Sequence, residues 1–133
     1  MKRPSVLFLI ILLISACSKA PTAEEQVMED ARAAAQIYYD FLVQGDYWQF
    51  LHGRAGTDSM PDGYREQLLT AYKQFMAQQR EAHGGIAHAD AQRARIDSTL
   101  QLVQVFLLLS YADSTQEEIV VPMVEHNGEW KMK

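Results

Sequence analysis

Cysteine is almost missing from this sequence: Cys17 is the only one in 133 residues. An internal disulfide is therefore excluded, and so is a Cys-x-x-Cys zinc site. Histidine is sparse and scattered. His52, His83, His88 and His126 include no i, i+4 pair, so neither a metal site nor any other cofactor is expected. Basic residues are outnumbered, 12 Lys and Arg against 17 Asp and Glu, for a net charge of −5. That balance argues against a nucleic-acid partner, whose phosphates need a clustered basic surface. Glycine-rich phosphate loops and nucleophile elbows are missing too, because Gly84-Gly85 has no strand-loop-helix setting. There is no internal repeat and no low-complexity tract. What remains is 48% hydrophobic and 22% charged, the composition of an ordinary globular chain of one domain.

The first residues carry the most specific pattern. Met1-Lys2-Arg3 is a basic start, Val6 to Ile14 is unbroken apolar sequence, and Ser15-Ala16 are small. Basic, apolar and small segments in that order read as a secretory signal peptide over residues 1–16. The apolar run falls short of the ~20 residues of a membrane span. Ile14-Ser15-Ala16-Cys17 resembles the bacterial lipobox. That resemblance implies cleavage before Cys17, a thioether to diacylglycerol on its sulfur and a third acyl chain, such as palmitate, on its new amino terminus. Each buried methylene contributes about 0.8 kcal/mol, so several chains hold a protein to a membrane durably. The mature protein would lose Lys2 and Arg3 and sit near −7. Residues 17–23 are small, polar and interrupted by Pro21, and read as a tether. Under the enterobacterial sorting rule Ser18 directs such a protein to the outer membrane, facing the periplasm or the cell surface.

Beyond the tether the apolar period is helical. Val27, Ala31, Ala34, Tyr38 and Phe41 form a stripe over Glu24–Gln44, opposite Glu29, Arg32, Gln36 and Asp40. Thr22 and Glu25 make a capping-box pattern, and Gly45 ends the helix. Asp46 caps a short helix, Tyr47–His52, with Trp48, Phe50 and Leu51 as its bulk. A loop over 53–61 leads to a third helix, Asp62–His83, whose stripe is Tyr64, Leu68, Ala71, Tyr72 and Phe75. At its end His83 suits the helix dipole. Gly84-Gly85 stops the helix, and the period changes to two.

Ile86–Asp97 is an alanine-rich strand. Leu100–Tyr111 is apolar on both sides, with Leu102, Phe106 and Leu108 on one and Val103, Val105, Leu107 and Leu109 on the other. Asp113-Ser114-Thr115 turns into a strand over Glu118–His126, in which Pro122 indicates an edge or a bulge. Asn127-Gly128 is a hairpin turn into a last strand, Glu129–Lys133, with Trp130 and Met132 on one face. Helices followed by a meander give an α+β class, amphipathic helices packing on one side of a curved antiparallel sheet.

An alanine-rich helix ending in Tyr38-Tyr39-Asp40-Phe41-Leu42-Val43-Gln44-Gly45-Asp46-Tyr47, and a terminal Asn127-Gly128-Glu129-Trp130-Lys131-Met132, resemble small lipoproteins of the nuclear transport factor 2-like superfamily. The resemblance implies one cone-shaped, cystatin-like domain over residues 24–133, with a pocket on the concave sheet face. SnoaL-like and ketosteroid isomerase-like enzymes share that fold. It carries no catalytic residues across. From the residues themselves, His88 and Asp90 share a strand face with Gln92 and could act as base and orienting carboxylate, or simply face solvent. Tyr38 could donate to an oxyanion, or pack in the core. Leu102, Phe106 and Leu108 are candidates for a ligand or interface surface. The favoured expectation is a non-catalytic envelope lipoprotein. Its partners would be the membrane through Cys17 and a small apolar ligand, a peptide, a second copy or another envelope protein. An isomerase or hydratase using His88, Asp90 and a tyrosine is the alternative.

Overall fold

Thr22 sets the start of the first helix. Its hydroxyl accepts a hydrogen bond from the Glu25 N–H at 3.1 Å, and α1 runs Ala23–Gln44. Gly45 ends it at a φ of 81°, a left-handed conformation that favours glycine. Its N–H donates to the Leu42 carbonyl while that of Asp46 donates to Phe41, which satisfies the carbonyls of the last turn. The Asp46 carboxylate then caps α2, Tyr47–His52. A 3-10 turn at Thr57–Ser59 leads to α3, Asp62–His83. The computed structural model describes residues 19–133; the expected signal peptide over residues 1–16 and Cys17 lie outside them.

Four strands follow as an antiparallel meander in the spatial order of the sequence: β1 Ile86–Asp97, β2 Leu102–Tyr111, β3 Gln116–His126 and β4 Glu129–Met132. Asn127 and Gly128 both take positive φ, as the tight β3–β4 hairpin requires. Two register shifts in β1, between Ile86 and His88 and between Ala91 and Arg93, bend that strand. Pro122 does not mark an edge strand, because β3 lies between β2 and β4. It sits where the β3–β4 ladder stops, and its carbonyl accepts the last bond from the Lys133 N–H at 2.9 Å.

All three helices meet one face of the sheet. The core joins Ala31, Ala35 and Leu42 of α1 to Ala89 and Ala91 of β1, Val105, Leu107 and Leu109 of β2, and Val121, Met123 and Met132 beyond. Alanines that make β1 a poor strand by propensity let α1 lie close against it. Gln36, expected on the solvent side, accepts from the Ala91 N–H at 2.7 Å and donates to the Ala89 carbonyl at 2.9 Å. Arg32 donates to the Ala91 carbonyl. These two side chains occupy the hydrogen-bonding edge of β1, as a fifth strand would. At the other rim, Ala55 N–H donates to Met132 and Met132 N–H donates to Gly53, both at 2.7 Å. Gly53 is obligatory there: a Cβ would stand 2.6 Å from the Tyr38 ring.

The third helix departs from its expected stripe. Of its residues only Met76 is buried, Tyr72 and Leu68 are half-buried, and Tyr64, Ala71 and Phe75 are exposed. Among the described residues no helix is long and apolar enough to cross a membrane.

Candidate functional site

The second half of α1, α2 and α3 arch over the inner side of β2 and β3 without filling the space beneath. An edge-to-face stack forms the roof: Tyr39 on Phe50 at 5.3 Å between ring centroids, and Phe50 on Tyr72 at 4.9 Å. Such ring pairs contribute about 0.5–1.5 kcal/mol beyond their buried area. Below them lies a cleft of about 430 Å³, floored by Leu109, Ile119, Val121 and Met132 and walled by Leu42 and Phe75. That volume is within the usual range for small-molecule sites.

Few polar groups border this cleft. Tyr39 is one, and burial, aided by the neighbouring Tyr72, pushes its phenol up to about 12. At neutral pH it stays protonated, so it can donate a hydrogen bond but cannot serve as a base. The Tyr72 hydroxyl is buried and has no partner, and the same holds for Nε of Arg54. Both residues border the cleft. Glu117 lies at the far end, where its carboxylate accepts from the Tyr111 hydroxyl at 2.7 Å. Burial first, and then that carboxylate, raise the Tyr111 phenol to about 12.

The side chains singled out in the sequence do not converge on this cleft. His88 and Asp90 pair across to Ser110 and Leu108, on the face of the sheet turned away from the helices, and both are exposed. Tyr38 is on the helical side, where its hydroxyl donates to the Trp130 carbonyl at 2.6 Å and its ring packs against Gly53. The three therefore do not form one constellation. Of the expected surface residues, Leu102 is buried and Phe106 and Leu108 are half-buried. The Arg93 guanidinium covers the Phe106 ring at 4.1 Å from its centroid. A row of apolar letters in β2 thus leaves a smaller apolar surface than its count suggests.

Sequence reasoning missed Phe50, Tyr72 and Arg54 as parts of one site. The two rings read as core on separate helices, and Arg54 falls in a loop with no period to give its direction. The one available signal was Arg54 between Gly53 and Ala55, a charged residue among small ones at a chain reversal. Among the described residues no three His, Cys, Asp or Glu side chains gather as metal ligands do.

The sequence matches no protein-family model and no curated protein. Its three-dimensional structure is similar to the crystal structure of a Campylobacter jejuni protein described as an NTF2-like transpeptidase. The TM-score is 0.58 at 11% identity, over 84% of this chain and 97% of the other. At that identity the likeness concerns the fold alone. The architecture is accordingly the NTF2-like cone, with helices packed on a four-stranded antiparallel sheet, as the resemblance of its helix ends and last hairpin implied.

Proposed function

We propose that this protein is an exported lipoprotein, held to a membrane through lipid on Cys17, whose cone binds a small apolar ligand in the concave cleft. The observation that carries the binding role is the cleft itself: aliphatic floor, aromatic roof and the hydroxyls of Tyr39 and Tyr72. Apolar walls with a few placed donors are the usual make-up of a ligand site. The NTF2-like fold fits such a role. The lipobox-like Ile14-Ser15-Ala16-Cys17 supports the anchor, and the negative balance of the chain fits a partner other than nucleic acid. The Tyr39 phenol, pushed up to about 12 by burial, suits the binding role as a hydrogen-bond donor.

Nile red, a neutral apolar dye, tests the cleft. The wild type should bind it with a blue-shifted, enhanced emission. Ile119→Trp, which fills the floor with a bulkier ring, should lower that affinity by about tenfold or more, the effect of losing roughly 1.4 kcal/mol. Equal dye binding by the two proteins would place the site elsewhere and count against the reading.

A further inference from the structure

Arg54 is the feature of the cleft that an apolar ligand alone does not explain. Its backbone is fixed by the rim, since Gly53 and Ala55 on either side both bond to Met132. Its side chain is half-buried, and Nε is closed off from water without an acceptor. On its other flank is a polar depression that includes Asp58 and Glu129. Neither carboxylate comes within ion-pair distance of Arg54, and among the described residues no ion pair includes it. A guanidinium whose Nε is shut off from water and whose charge has no counter-charge gains from an anion that meets it. The acidic residue of the cleft does not serve. Glu117 is held by Tyr111 and lies four residues along β3 from Val121, about 13 Å of extended chain.

Resting on the ligand-binding reading above, we infer that the ligand is an apolar anion: a small amphiphilic carboxylate with its head on Arg54 and its hydrocarbon part on Leu109, Ile119 and Val121. The guanidinium is a planar fork of donors matched to a carboxylate, and Lys133 borders the same cleft. The unpartnered Tyr72 hydroxyl is a further donor on the wall. It stands on α3, the helix with a single buried residue.

Octanoate and octanol, equal in chain length and different in charge, decide the matter by calorimetric titration of the full chain in lipid nanodiscs, with empty nanodiscs subtracted. Octanoate should bind at least about tenfold more tightly than octanol, as expected for one charge-assisted pair. In Arg54→Gln the preference for octanoate over octanol should shrink to about twofold or less. Equal binding of both probes by the wild type would overturn the anion while leaving an apolar cleft intact. Failure of both probes would overturn the cleft as well. A preference that survives Arg54→Gln would overturn the assignment to Arg54. Should Arg54→Gln fail to fold, Arg54→Lys, which retains the charge without the planar fork, must keep a reduced preference for octanoate, and an undiminished one overturns the fork.

Discussion

Asp113 shows how much a single side chain can fasten. It lies in the β2–β3 turn, and its carboxylate accepts from the Thr115 hydroxyl, from the Thr115 N–H at 2.9 Å and from the His83 ring at 2.9 Å. These contacts, the Thr115 hydroxyl foremost, hold its pKa at about 2 against the ordinary 3.8. A depressed carboxyl pKa means that the folded state favours the ionised form. The stabilisation is complete above the ordinary value and is lost as pH falls through the folded one. Wild-type stability should therefore drop between about pH 4 and pH 2 more steeply than that of Asp113→Asn. Denaturant midpoints of both proteins across that range check it; parallel curves would show that the turn contributes nothing to acid stability. The same contact ties the C-terminal end of α3 to the sheet, where the His83 ring also lies against Tyr111 at 4.5 Å.

At the scale of elements, the contest for the edge of β1 matters most. Gln36 serves this exposed strand with one acceptor and one donor, both aimed at backbone groups two residues apart. Gln36→Ala should cost about 1–2 kcal/mol, since the site is only partly buried and water can replace the lost amide. Amide hydrogen exchange at Ala91 should quicken, and light scattering should show more self-association as the edge is bared. An Ala91 amide as protected as before would refute the role. Sequence periodicity conveyed where each helix and strand lies, because caps, glycines and the change of period are local signals. It placed Gln36 on the wrong side, since a polar side chain reads as solvated whether it meets water or a strand edge. It gave β2 two apolar faces without revealing that Arg93 covers Phe106. It also overrated α3, whose stripe of rings is only partly used. Long-range partners carry those outcomes, and a single chain read in order does not display them.

Considered whole, the molecule has the start of its first helix and its cleft at opposite ends. Val27, near the start of α1, borders a depression with Ile96, Asp97 and Leu102, at the β1–β2 end of the sheet. Leu42, near the close of the same helix, walls the cleft. If Cys17 is acylated, cells fed labelled palmitate should yield a labelled protein, and Cys17→Ser should be unlabelled and absent from the membrane fraction. Label retained by the variant would locate the lipid elsewhere. From Val27 to Leu42 the helix rises about 22 Å, and a fully extended tether from Cys17 to Thr22 adds up to about 17 Å. That offset bears on traffic. If lipid on Cys17 holds the chain, the binding place for a greasy cargo is set off from the start of the first helix by about 22 Å of that helix. A cone so held would present its cleft to a neighbouring carrier at the end of the helix away from the tether.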